Sequence, residues 1–180
     1  MNEEKKRTFI DEFLSFSLHI GLGFLIAIFL VTFVFRFTIV KGESMAQTLN
    51  NNQVLYMDKV GYRFNNPERG DIVICRYPYF SENCIKRVIA MPGETIGIKN
   101  GVVYVNDDPT IDEWQGNYDL ADMATIRVPD NCYFVMGDNR GNSKDSRDKS
   151  VGCIPKDKIY GKAVFSLYPF DKVGTIKFGN

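Results

Sequence analysis

Residues 13–35 contain no Asp, Glu, Lys or Arg. As an α-helix, 23 residues rising ~1.5 Å each span roughly 35 Å, enough to cross a ~30 Å hydrocarbon core with some tilt. The alternative is a cleavable secretion signal. Its apolar core is roughly 7–15 residues long and is followed by a small-x-small site. Here the core is longer, and Arg36-Phe37-Thr38-Ile39 follows it. The segment is therefore expected to be an uncleaved anchor. Lys5, Lys6 and Arg7 precede it, and Arg36 and Lys41 follow, so the positive-inside rule leans only slightly towards a cytoplasmic N-terminus. The expected organisation is a tail at 1–12, a transmembrane helix at 13–35 and one domain at 36–180, large enough to bury a core.

The reactive side chains narrow the chemistry. The one histidine, His19, lies inside the apolar segment, so the domain has no histidine for a Ser-His-Asp or Cys-His arrangement and none to ligate a metal. Cys75, Cys84, Cys132 and Cys153 form no CxxC pair, which argues against a zinc ribbon, and their pairing is left open. Neither a Walker-type loop nor GxGxxG is present, so no nucleotide or other small-molecule cofactor is expected. Lys plus Arg and Asp plus Glu both number 22, which leaves no basic field for nucleic acid. An enzyme built from this chain works with Ser, Thr, Lys, Asp, Glu, Tyr or Cys.

Beyond Arg36 the patterns are those of strands. Residues 53–60 alternate in part, 71–75 are β-branched, and 85–91 form an apolar run closed by Pro92-Gly93. In 95–105, Asn100-Gly101 separates two alternating arms, the signature of a type I′ hairpin. Residues 107–124 lack a period and read as an irregular excursion. Residues 132–136 and 163–168 read as further strands. The fold class is mostly β: one N-terminal transmembrane helix followed by an all-β domain.

Three segments could carry chemistry. The loop 137–148 holds Asp138, Arg140, Asp145, Arg147 and Asp148, either a salt-bridged surface loop or a locked loop presenting functional groups. Gly42 stands two residues before Ser44 and permits close backbone approach. Lys86 lies inside an apolar strand, where an ammonium is costly unless paired or deprotonated; an edge lysine reaching water is the plainer reading.

Taken together, GESMAQTL (42–49), RGDIVI (69–74), KRVIAMPGE (86–94) and GDNRGNSKDSR (137–147) follow an N-terminal anchor in that order. This chain resembles the bacterial type I signal peptidases over essentially its whole length. The resemblance implies a Ser-Lys peptidase on an all-β fold, held on the outer face of the cell membrane, that removes signal peptides from exported preproteins after a small-x-small site. It implies Ser44 as nucleophile, Lys86 as general base and Ser143 as the hydroxyl that orients the lysine. Asp145 matches a loop aspartate that pairs with an arginine, here Arg147 or Arg87, and Gly137 opens the loop against the lysine. Val40, Met45, Leu49 and Ile85 are expected to line the substrate pocket. Cys84, two residues before Lys86, shares its strand face.

The partners so implied are signal peptides and the lipid bilayer, with the protein acting as a monomer. Two departures stand out. The family pattern S-M-x-P-T has Gln47 in place of proline, a change that frees the unfolded chain by about 1 kcal/mol. Gly42 replaces a serine that donates to the oxyanion in some members. These are the only features favouring the alternatives, of which the main one is a catalytically silent membrane module acting in assembly. A self-cleaving Ser-Lys relative lacks support, since no DNA-binding segment is present.

Overall fold

The computed structural model describes residues 9–29, 36–109 and 120–176. The chain divides into two units, 1–36 and 37–180. In the first, helix α1 (Phe9–Phe29) opens with Asp11 and Glu12 in its first turn, where carboxylates complement the positive end of the helix dipole. None of its residues is buried, and Phe13, Leu14, Phe16, Leu18 and Phe24 are all exposed. A helix this apolar that buries nothing against its own chain has the make-up of a membrane anchor. Among the described residues it is the one helix long and apolar enough to cross a membrane. It starts four residues before the uncharged stretch, and 30–35 of the expected span lie outside the described residues. His19 is satisfied within the helix, its Nδ1 lying 2.5 Å from Ser15 O.

The second unit is β. Its strands in chain order are β1 (Arg36–Ile39), β2 (Val54–Asp58), β3 (Ile72–Arg76), β4 (Asn83–Ala90), β5 (Thr95–Lys99), β6 (Val102–Val105), β7 (Asp108–Pro109), β8 (Met123–Arg127), β9 (Cys132–Met136), β10 (Ile154–Pro155), β11 (Ile159–Tyr168) and β12 (Gly174–Thr175). The larger sheet runs β1-β2-β11-β3-β4-β9-β10, with β12 also beside β11; the smaller runs β7-β6-β5-β8. The pairings resolved in both sheets are antiparallel. The β5–β6 hairpin turns through Asn100 (φ +51°) and Gly101 (φ +75°), the two positive values that a type I′ turn requires.

The region 107–124 is not irregular at its ends. β7 and the start of β8 fall inside it, while 110–119 lie outside the described residues. β8 escapes a periodicity reading because it is half-buried at Met123 and exposed thereafter, so no alternation marks its face.

Packing brings the sheets together. Ile96, Ile98, Val103 and Val105 of the smaller sheet share a core with Ile89, Phe134 and Met136 of the larger. A second cluster, Val40, Met45, Leu49, Leu55, Ile72 and Ile74, lies under the β1–β2 end. β1 and β4 are four strand steps apart, roughly 19 Å in a flat sheet. Register shifts along β11, between 159 and 161, 163 and 165, and 166 and 168, bend this central strand. At Gly161 a side chain would meet Asp58 O at 2.5 Å, so only glycine lets β11 press this closely on β2. The curl closes the distance between β1 and β4 and creates the site.

Candidate active site

Ser44 sits on the turn between β1 and β2. Val40 N–H donates to Gln53 O (2.9 Å) and Asn52 N–H to Val40 O (2.8 Å), closing the base of the loop. Gly42 reverses the chain with φ +87°, and its N–H donates to Asn51 Oδ1 at 3.0 Å. A helix-like turn follows, with Ala46 N–H donating to Glu43 O (3.0 Å), Thr48 N–H to Met45 O (3.1 Å) and Leu49 N–H to Met45 O (2.8 Å). It drives Met45 and Leu49 into the core beneath and leaves Ser44 facing a cleft.

Lys86 reaches the same cleft from β4, opposite Val73 of β3. It is 3 % exposed, and its Nζ lies 2.6 Å from Ser44 Oγ and 3.1 Å from Ile85 O. Burial pushes its pKa below the ordinary 10.5, against the opposing pull of negative charge at Cys84, Asp145, Cys75 and Asp138. A lysine so placed favours the neutral amine that a general base must be.

The loop after β9 braces the Ser44 turn. Asp145 Oδ2 accepts from Gly137 N–H (2.9 Å), Ser143 Oγ–H (2.7 Å) and Arg147 Nη2 (2.9 Å), while Oδ1 accepts from Arg147 Nε (2.8 Å). Of the two arginines left open by the sequence, Arg147 is therefore the partner of Asp145. Arg87 pairs instead with Asp138, through Nε to Oδ1 (2.8 Å) and Nη2 to Oδ2 (2.7 Å), with both side chains wholly buried. Strand alternation accounts for this, since Arg87 points to the face opposite Lys86. The contact found for Ser143 is to Asp145. A Cβ at Gly137 would lie 2.3 Å from both Ser143 Oγ and Ser44 O, so this glycine lets the loop touch the backbone of the Ser44 turn.

Three residues with no expected role lock that turn to the loop. Thr48 Oγ1 donates to Asp138 Oδ2 (2.6 Å), Asn139 N–H donates to Ser44 O (3.0 Å), and Asn139 Nδ2 donates to Glu43 O (3.0 Å). The signal for Asp138 and Asn139 lay in the density of short polar side chains in 137–148, which marks a locked loop without naming its partners; Thr48 carried no such signal.

The cleft holds about 800 Å³, and Val40, Met45, Cys84 and Ile85 line it beside Ser44 and Lys86. Leu49, also expected in this wall, packs in the core cluster with Val40 and Met45 and is not among the residues lining the cleft. Among the described residues no cluster of His, Cys, Asp and Glu could hold a metal ion.

Comparison with known proteins gives this geometry a family. The family described as "Signal peptidase, peptidase S26" matches residues 13–168. A signal peptidase I from Leptolyngbya laminosa is 34 % identical over 165 residues, covering 87 % of this chain and 80 % of that protein. Signal peptidase I S of Bacillus subtilis (strain 168) is 32 % identical over 183 residues, 96 % of each chain. A crystal structure of a signal peptidase I from Enterococcus faecalis V583 aligns with a TM-score of 0.48 at 27 % identity, covering 54 % of this chain and 97 % of that one. The match to the family spans most of the sequence, and the chain belongs to the signal peptidases, a family of serine peptidases.

Proposed function

We propose that this protein removes signal peptides from exported preproteins, cutting after a small-x-small site through a Ser44–Lys86 dyad and an acyl-enzyme. The observation that carries the reading is the 2.6 Å approach of the buried Lys86 amine to Ser44 Oγ at the wall of the cleft. Neutral Lys86 takes the Ser44 proton as Oγ attacks the scissile carbonyl. The backbone N–H of Ser44 and its neighbours hold the oxyanion, at ~3 kcal/mol per donor. Lys86 then returns the proton to the leaving amine and activates the water that frees the acyl-enzyme. Asp145 and Asp138 move no proton in this scheme; they hold the loop and the turn.

Two strand edges support an extended substrate. β1 ends the larger sheet, and the pairing of β4 with β9 begins only at Arg87, so 83–86 keep an edge beside the cleft. A peptide adding as a strand there would bring its small side chains to Val40, Met45, Cys84 and Ile85. Eight residues, 36–43, join the anchor to Ser44, a reach of at most ~26 Å. That reach keeps the nucleophile close to the end of the anchor, and the resemblance to the signal peptidases implies the outer face of the cell membrane with the N-terminus cytoplasmic. The test is cleavage of a preprotein with an Ala-x-Ala site in detergent by wild type, Ser44→Ala and Lys86→Ala. Cleavage after the second alanine by wild type alone is expected; a folded wild type inert on several preproteins would overturn the reading.

A further inference from the structure

The cleft wall holds a second reactive pair that this chemistry leaves unused. Cys75 on β3 and Cys84 on β4 are directly opposed in the antiparallel register, and their thiol sulfurs lie 3.3 Å apart. Opposed residues on such strands have Cα atoms about 4.5–5.5 Å apart, inside the range of about 4.4–6.8 Å that a disulfide bridges. Bonding therefore requires the sulfurs to close by roughly 1.3 Å, with no shift of either strand.

The two thiols differ in access and in acidity. Cys84 lines the cleft, whereas Cys75 is fully buried. A hydrogen bond from Cys75 holds the Cys84 thiol below its ordinary pKa, and the same contact raises Cys75 well above its own. Cys84 is thus the nucleophile presented to the cleft, and Cys75 stands behind it.

We propose that Cys84 and Cys75 form an attacking and resolving thiol pair, a modification site for small disulfides that enter the cleft, with Cys75 clearing the adducts that Cys84 acquires. In the first step the Cys84 thiolate attacks one sulfur of a small disulfide; a bond to Cys84 forms, the original S–S bond breaks, and one small thiolate leaves with the electron pair. The adduct removes the Cys84 contact and charge that helped raise the Cys75 pKa, leaving burial as the remaining opposition. Cys75 then passes its proton to the departed thiolate, attacks Cys84 Sγ from the buried side and expels the second small thiolate into the cleft. In sum, two protein thiols become one disulfide and one small disulfide becomes two thiols, and a dithiol reductant reverses the exchange. The thiol chemistry stands apart from the peptidase reading; only its value for keeping the cleft open rests on that reading.

The test incubates the full-length protein in detergent with oxidised glutathione, followed by acid quenching, alkylation and peptide mass analysis. Wild type is expected to lose the Cys75 and Cys84 thiols, to carry no glutathione on either and to yield a linked Cys75–Cys84 peptide. Cys75→Ala and Cys75→Val should each accumulate one glutathione on Cys84, and preprotein cleavage by these variants should fall in proportion to the adduct and return with dithiothreitol. A stable glutathione adduct on Cys84 of wild type overturns the proposal, as does a Cys84 that stays reduced in folded wild type while the denatured chain reacts. Wild type that forms the linked peptide but cleaves no preprotein sinks the peptidase reading alone.

Discussion

Gln47 lies three residues after Ser44 and has φ +98°. The family pattern places proline there, and a proline ring holds φ near −65°, roughly 160° from the value this turn uses. On sequence grounds Gln47→Pro should stiffen the unfolded chain and gain about 1 kcal/mol. The structure reverses that sign. Proline cannot take the observed conformation, so the variant has to rebuild the 43–49 turn with its three backbone hydrogen bonds. At about 1 kcal/mol each, their loss amounts to about 3 kcal/mol, lowering Tm by roughly 6–12 °C in a domain of this size.

Glycine makes the opposite change. A residue bearing a Cβ at positive φ carries about 1–2 kcal/mol of strain. Glycine at this position relieves that strain but gives back about 0.5–1 kcal/mol through its freer unfolded chain. Gln47→Gly should therefore melt level with wild type or a few degrees above it. Thermal unfolding of the three full-length proteins in detergent, with preprotein cleavage alongside, measures both effects. Displacing Ser44 Oγ by about 1 Å should also cost Gln47→Pro about 100-fold in kcat/KM. A proline variant that melts at or above wild type and cleaves at full rate refutes the reasoning, for it would mean that the turn works at negative φ.

The remaining predictions probe the base and its supports. Because burial lowers the Lys86 pKa, kcat/KM should rise with pH through the folded value. Between that value and 10.5 the unfolded state binds more protons, so the stability of wild type should also rise with pH, by up to about 1.4 kcal/mol per pH unit. Lys86→Met should be inactive yet more stable than wild type near neutrality, with the gap closing towards pH ~10; Tm against pH for both proteins checks it, and a constant gap would refute it. Asp138→Asn leaves the wholly buried Arg87 without a full counter-charge and should cost about 3–5 kcal/mol in thermal or denaturant unfolding. Glu94→Gln, at the partly exposed Arg69–Glu94 pair, should cost no more than about 1 kcal/mol in the same assay. Gly137→Ala places a methyl 2.3 Å from Ser44 O and should lower kcat about 100-fold with the β fold retained by circular dichroism.

What local pattern can encode was readable from the sequence. Asn100-Gly101 between alternating arms specifies its hairpin, and 132–136 forms β9 over the expected residues. Relations made by the curl of the larger sheet were not readable. Ser44 and Lys86 come together only because β11 bends between their strands, and no periodicity within either segment encodes that contact. The motifs paired these residues; the geometry explains how the pairing is reached. Leu49 was placed in the pocket by the resemblance, whereas it packs into the core beneath the Ser44 turn, a distinction of depth that no motif encodes. Asp145 had two candidate arginines, and strand alternation from Lys86 would have assigned Arg87 to the opposite face.

The arrangement of charge around Lys86 has an electrostatic logic that no one motif displays. Two buried carboxylates, Asp138 and Asp145, hold the turn and loop in place, and each by itself raises the Lys86 pKa. Left as bare anions they would favour the protonated amine and oppose the role proposed for Lys86. Each instead meets its own arginine in a two-point contact, Arg87 on Asp138 and Arg147 on Asp145. A paired carboxylate and guanidinium present a dipole rather than a net charge, and the field of a dipole falls faster with distance than that of an ion. The loop thus obtains rigid, charge-assisted hydrogen bonds within reach of the base while adding little net charge beside it. Burial still outweighs the neighbouring anions in lowering the Lys86 pKa, with Cys84 opposing it more than either carboxylate.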